Sequence, residues 1–303
     1  MMKHIFIPIA IGILSLVITT QCQAADQEEI VYGYKDGMAL MMSKIAPKGK
    51  SNGRAILSLV SGNWASNHSM LSRYSKGSEI YAENGYTVFM VMHSSQPRYS
   101  IEDEAADIKR AVRFVRYHSR KFGVDSLHIG ITGSSSGGHL SLLTALANET
   151  IIKGSKDPVD SVSSRVQAAA VFFPPTDFLN WGRANTGMQR EGLRLFGIIG
   201  AFDFKAFADS TGLYERIKQE DKISVIAKNL SPINLVTADD PPVFITHGDK
   251  DNVVPLQQSE SIIAKLKETK VPTKFVLKPG GAHGWSDSNV EKKMFVEWFN
   301  KYL

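Results

Sequence analysis

The chain has 303 residues, with 35 Lys and Arg against 30 Asp and Glu, for a formal net charge of +5. That excess is small and scattered, with no arginine-rich stripe, which argues against nucleic acid as a partner. Cys22 is the single cysteine, which excludes an intrachain disulfide and a thiolate metal site.

The N-terminus reads as a signal peptide over residues 1–24. Lys3 precedes the apolar run Ile5–Thr20, and Cys22 and Ala24 put small residues at the −3 and −1 positions of a cut after Ala24. The expectation is export to the periplasm or medium, with a mature chain of 25–303 and no stable membrane span. The alternative is an anchor retained at residues 5–20, although about 16 apolar residues fall short of the 17–25 that span a bilayer. A lipoprotein reading of Cys22 is disfavoured by Gln21 before it.

Residues Ile30–Tyr34 and Met38–Ile45, joined by Lys35-Asp36-Gly37, predict an antiparallel hairpin. Strand-like runs follow at Arg54–Val60, Thr87–His93, Leu127–Thr132, Val166–Phe173, Pro242–Thr246 and Thr273–Leu277. Several are apolar without alternation, as strands covered on both faces are. Between them Ile101–Lys121 has helical period, with the stripe Ile108, Ala111, Val112 and Val115 and a Ser100/Asp103 capping box. Val290–Leu303 predicts a second helix, opened by Ser288 and Glu291. Alternation of strand and helix argues for an open α/β fold, a mostly parallel eight-stranded sheet with helices on both faces. Residues 174–230 hold no obvious strand and read as a small helical cap inserted in one α/β domain.

The strongest local signal is Gly133-Ser134-Ser135-Ser136-Gly137, placed directly after a strand and directly before the helical run Leu140–Ala147. A nucleophile elbow requires that context: a sharp strand-to-helix turn holds a strained serine above the sheet, and glycines two residues to either side admit neighbouring backbone. The two glycines fix the register on Ser135. A serine hydroxyl needs a base, and the base needs an orienting acid. The strand Pro242–Thr246 runs into His247-Gly248-Asp249-Lys250-Asp251, and Thr273–Leu277 runs into Pro279-Gly280-Gly281-Ala282-His283-Gly284-Trp285. Serine, acid and imidazole candidates all fall just past the C-terminal ends of strands, where open α/β sheets bind ligands.

Over Ile30–Leu303 the chain resembles the α/β-hydrolase family, and within it esterases and prolyl oligopeptidase-like catalytic domains. The likeness rests on Gly-Ser-Ser-Ser-Gly-Gly-His-Leu at 133–140, His-Gly-Asp-Lys-Asp-Asn-Val-Val-Pro at 247–255 and Ala-His-Gly-Trp at 282–285. It implies a catalytic triad of Ser135, Asp251 and His283, with Asp249 as a turn residue and Asp177 a distant alternative. The oxyanion would take the Ser136 N–H and one amide from the loop Ser61-Gly62-Asn63-Trp64, where related esterases carry an HGGGW-like run. That run is Val-Ser-Gly-Asn-Trp here, so Gly62, Asn63 and Trp64 all stay open, with Asn63 favoured. Among the other histidines, His139 reads as packing, His247 as a brace for the turn after it, and His118 and His128 as structural. His68 and His93 are candidates for the pocket border. No histidine pair shows metal-ligand spacing with a carboxylate, so neither metal nor cofactor is expected.

The expected chemistry is cleavage of a carboxylic ester through an acyl-enzyme, with activity rising through roughly pH 6–7 as an imidazole base becomes neutral. The substrate would be a small ester, for which a carbohydrate-linked acetyl or feruloyl ester is an analogy. Trp64, Trp181 and Trp285 are candidates to line the pocket, each against a plain core role. The alternatives are a serine aminopeptidase or dipeptidase and a binding protein that keeps the fold without chemistry. Oligomeric state has no signature in the sequence.

Overall fold

The computed structural model describes residues 27–147, 151–182 and 197–303, so the expected leader over 1–24 lies outside the described residues. The hairpin forms as β1 (Gln27–Lys35) and β2 (Met38–Ile45), paired antiparallel around the turn at Asp36 and Gly37, both at positive φ. Then come β3 (Ala55–Val60), α1 (Leu71–Glu83), β4 (Thr87–Met92), α2 (Ile101–Tyr117) and the single turn α3 (Ser119–Phe122). After these follow β5 (Ile129–Ser134), α4 (Ser136–Leu146), β6 (Ala168–Phe172), and a short ribbon of β7 (Lys205–Ala208) and β8 (Leu213–Arg216). The chain closes with α5 (Glu220–Asn229), β9 (Val243–Gly248), α6 (Gln257–Glu268), β10 (Thr273–Lys278) and α7 (Asn289–Tyr302).

Eight strands form one sheet in the order β1-β2-β4-β3-β5-β6-β9-β10. It is parallel from β4 through β10, and β2 pairs antiparallel with β1 and β4. The fold is that of the α/β-hydrolases. Strands β3, β4, β6 and β9 are buried at every residue, which is why they read as apolar runs without alternation. Apolar surface is removed from water on both faces. One layer packs α2, α4 and α6 through Ile108, Val112, Leu140, Leu142 and Ile262; the other packs α1 and α7 through Tyr81, Phe295 and Phe299. The stripe on α2 is fully buried, and the Ser100 N–H donates to the Asp103 carboxylate at 3.1 Å in its capping box.

Two expectations need correction. The helix over 101–121 breaks at His118, and a separate turn ends on Gly123 at φ +66. The insertion is also not purely helical, because β7 and β8 pair with Lys205 opposite Arg216 and Ala208 opposite Leu213. Each strand has only four residues and is largely exposed, so neither produced an apolar run, and their turn ends on Gly212 at φ +68.

Candidate active site

Only Ser135 stands between the end of β5 at Ser134 and the start of α4 at Ser136. It is held at φ +54, ψ −122, in the positive-φ region that a side chain rarely adopts. Two backbone bonds keep it there: Ser135 N–H donates to Phe172 O at 3.0 Å, and His139 N–H donates to Ser135 O at 2.9 Å. A β-carbon on Gly133 would stand 2.5 Å from Gly137 C and O, so the turn this tight admits only glycine at that position.

The acid and base loops leave adjacent strands, β9 and β10, and interlock. A β-carbon on Gly248 would lie 2.1 Å from Gly281 O. Asp249 Oδ1 accepts from Gly280 N–H at 2.7 Å, the structural turn role expected of it, and Lys250 N–H donates to Gly281 O at 2.8 Å. This contact delivers His283 to Ser135. Its Nε2 lies 3.0 Å from Ser135 Oγ and its Nδ1 2.8 Å from Asp251 Oδ2. A carboxylate can only accept, so Nδ1 carries the proton and Nε2 is left to accept from the serine hydroxyl.

The Asp251 side chain is fully buried and heavily solvated by the protein itself. Its Oδ1 accepts from Val253 and Val254 N–H, both at 2.9 Å, while His247 Nε2 reaches Oδ2 at 3.2 Å. Burial alone raises this carboxyl, but hydrogen bonds from His247, His283 and the Val254 N–H outweigh it and hold it well below the usual carboxylate range. His247 is therefore more than the expected brace. Its Nε2 also faces Val254 O at 3.0 Å and its Nδ1 faces Ser259 Oγ at 2.7 Å, so Nε2 is the protonated nitrogen. Phe173 packs against the His283 ring at a tilt of 55°, with ring centroids 4.6 Å apart. Neither contact was anticipated; the His247/Asp251 spacing of four residues was the available signal for the first.

Ser136 heads α4, and its Oγ is 3.0 Å from Ser61 Oγ. Across from it, Gly62 and Ala65 close a two-residue turn by exchanging both hydrogen bonds, at 3.0 and 2.9 Å, with Asn63 and Trp64 both at φ +54. The turn's own bonds therefore use neither the Asn63 nor the Trp64 amide. Gln96 clamps this loop: its Nε2 donates to Asn63 O at 3.0 Å and to Gly197 O at 2.8 Å. Its Oε1 accepts from Ile199 and Gly200 N–H at 2.7 and 2.9 Å, tying the loop to the insertion. A lone glutamine before a proline gave no sequence signal for that role.

Other candidates fall away from the site. Trp64 is 2% exposed, donates from Nε1 to His139 Nδ1 at 3.1 Å and packs edge-on against Phe178 and Phe202, so it is a core wedge and not a pocket wall. His139 is buried packing, as expected; its Nε2 donates to Leu230 O at 2.8 Å, and burial lowers its pKa to about 4. His93 is buried with Nδ1 on Ser94 O, and exposed His68 pairs with Glu29 on the first hairpin, so neither borders the site. His118 packs at a tilt against Phe114 and His128 pairs with Asp125. Asp177 is a cap, accepting from Leu179 and Asn180 N–H at 3.0 and 3.1 Å. Trp181 packs against the core, whereas Trp285 is half-buried and lines a cavity beside Ser134. Among the described residues no cluster of three His, Cys, Asp or Glu could hold a metal ion, and no helix is long and apolar enough to cross a membrane.

Residues 44–266, well over half of the chain, match the BD-FAE family model. The chain belongs to the BD-FAE family. It is similar to esterase LipQ of Mycobacterium tuberculosis, 28% identical over 252 residues that make up 82% of this chain and 54% of LipQ. Among solved structures it is similar to a truncated carbohydrate esterase from gut microbiota, with 26% identity and a TM-score of 0.72 over 91% of this chain and 96% of that one. A bifunctional GH43-CE protein of Bacteroides eggerthii gives 26% identity and a TM-score of 0.71, over 91% of this chain and 38% of that one. The chain spans about half the length of the curated relatives it matches first.

Proposed function

We propose that this family member is a serine hydrolase that cleaves carboxylic esters through an acyl-enzyme. The observation that carries the reading is the hydrogen-bonded series Asp251–His283–Ser135, at 2.8 and 3.0 Å, with the serine held in a strained elbow. His283 Nε2 takes the hydroxyl proton as Ser135 Oγ attacks the ester carbonyl, and Asp251 stabilises the imidazolium that forms. Charge on the tetrahedral oxygen falls to the Ser136 N–H and the Asn63 N–H. His283 then protonates the departing alkoxide, and water releases the acid by the reverse route. Esterase names among the relatives favour an ester over a peptide, and the carbohydrate-esterase neighbours favour an acyl group carried on a sugar. Export through the leader 1–24 suits an extracellular carbohydrate substrate, and the N-terminal mass of the purified protein tests the cut after Ala24.

The test compares 4-nitrophenyl acetate with aminoacyl 4-nitroanilides, on the wild type and on Ser135→Ala and Ser134→Ala. The account expects ester turnover without anilide turnover, a loss on the order of 10³-fold or more in Ser135→Ala, and retention of most activity in Ser134→Ala. Equal loss from both variants, or anilide cleavage alone, contradicts it.

A further inference from the structure

A cavity of about 250 Å³ lies on the α1 and α7 side of the sheet, walled by residues that flank the catalytic serine and histidine in the chain. Its walls include Gly133-Ser134, the two residues before Ser135, and Gly284-Trp285, the two residues after His283. Successive Cα atoms are about 3.8 Å apart, so this wall lies within about two Cα steps of the nucleophile. The charge of the lining is one-sided. Arg73 from α1 and Lys292 from α7 both face the cavity, and no Asp or Glu lines it. Gly77 on α1 makes room for the ammonium: Lys292 Nζ lies 3.3 Å from where a β-carbon on that glycine would stand.

Neither cation forms an ion pair among the described residues. Glu291, one residue before Lys292, is spent on Lys278 at 3.0 Å and on Trp285 Nε1 at 3.1 Å. Lys292 is half-buried, and burial alone, with no carboxylate beside it, lowers its pKa. A partly desolvated ammonium without a counter-charge is costly, and an anion entering the cavity relieves that cost. Of the hydroxyls in the remaining wall, Ser78 donates to Ser58 Oγ at 3.0 Å and Thr132 donates to Ala170 O at 2.7 Å, which leaves those of Ser58, Ser134 and Ser288 to meet an anion. Tyr74 is not among the free donors, since its hydroxyl donates to Ser61 O at 2.6 Å.

We infer that this cavity is a subsite for a carboxylate carried by the substrate, a few bonds from the scissile ester, with Lys292 and Arg73 as its recognition residues. The inference deepens the ester-hydrolase reading and rests on it. A substrate of this class carries its acid on the acyl part, as in a half-ester of a dicarboxylic acid, or on the alcohol part, as in an acylated acidic sugar. Arg73 is exposed and Lys292 half-buried, so the carboxylate passes the guanidinium at the mouth before meeting the ammonium.

Two substrate pairs separate the sources. For the acyl side, 4-nitrophenyl hemiglutarate is compared with 4-nitrophenyl valerate; for the alcohol side, 3-acetoxybenzoate is compared with phenyl acetate. The wild type is expected to prefer the anionic member of at least one pair about tenfold in kcat/KM, and Lys292→Gln and Arg73→Gln should each lower that ratio severalfold. In parallel, calorimetric titration of Ser135→Ala with glutarate should show binding that Lys292→Gln abolishes in the same background. Anionic-to-neutral ratios at or below one in both pairs, or ratios unchanged in both variants, overturn the subsite while leaving ester hydrolysis intact. Absence of turnover on every ester overturns the ester-hydrolase reading instead. The glutarate titration then decides the subsite alone, and no binding overturns it.

Discussion

At the scale of single residues, the site is dominated by where charge is allowed to sit. Asp251 stays ionised in a fully buried position because two imidazoles and two backbone amides replace its water. Its folded-state pKa is depressed, so it contributes stability above the ordinary carboxylate pKa of about 3.9 that is lost as pH falls toward the folded value. Asp251→Asn should therefore cost roughly 2 kcal/mol at pH 7, and that cost should shrink progressively only as pH falls below the ordinary carboxylate value, read from urea midpoints; a cost that stays constant down to the lowest pH at which the protein folds would contradict this. Glu104 presents the opposite sign. It is 0% exposed, neither carboxyl oxygen has a hydrogen-bond partner among the described residues, and burial pushes its pKa up to about 10. A carboxyl raised in the folded state keeps its full contribution below its unfolded value and loses stability as pH rises through its folded value. Glu104→Gln should raise the melting temperature by a few degrees at pH 8 and change it little at pH 4, by calorimetry. A drop at pH 8 would mean the carboxylate is ionised and paired with His93, whose Nδ1 lies 3.8 Å from Oε2.

Individual elements explain why the three reactive groups meet. Parallel β5, β9 and β10 end at one edge of the sheet, and each is followed by a loop whose path is set by glycine rather than by side-chain packing. Gly248 is the most constrained, since its backbone lies against Gly281 where the acid loop crosses the base loop. Gly248→Ala should separate the two loops, lowering kcat by about tenfold or more, because misplacement by about 1 Å costs roughly that much or more. The circular dichroism spectrum should stay native; unchanged kinetics would show that the crossing is not what positions His283. The Gly-Ser-Ser-Ser-Gly run, the Asp251 loop and the His283 loop were all legible in the sequence because each combines a strand end with small residues in fixed register. Contacts between elements were not. Gln96 acts through four backbone partners on segments about 30 and 100 residues away, and backbone partners leave no trace in a sequence. The fate of Trp64 was settled by burial among His139, Phe178 and Phe202, which no local pattern reports. The β7–β8 ribbon escaped because an exposed pair of four-residue strands buries too little to impose a pattern.

For the whole molecule, one eight-stranded sheet with two apolar layers brings together a hydroxyl and an imidazole 148 residues apart, and a carboxylate 32 residues from that imidazole. The architecture was readable because all-buried parallel strands must be apolar throughout, and because the antiparallel hairpin announces itself with an Asp-Gly turn. What the sheet supplies to chemistry is one rim at which strand ends, helix N-termini and glycine turns coincide. The cavity of Arg73 and Lys292 is walled by the last residues of β5 and by the loop after His283, so the proposed subsite and the triad share one scaffold. The central claim, that Ser135 is a nucleophile activated by His283, is tested most directly by fluorophosphonate labelling followed by peptide mass mapping. The account predicts stoichiometric modification of Ser135 in the wild type, none in Ser135→Ala and greatly slowed modification in His283→Ala. Label on another residue, or equally fast labelling without the imidazole, would contradict it.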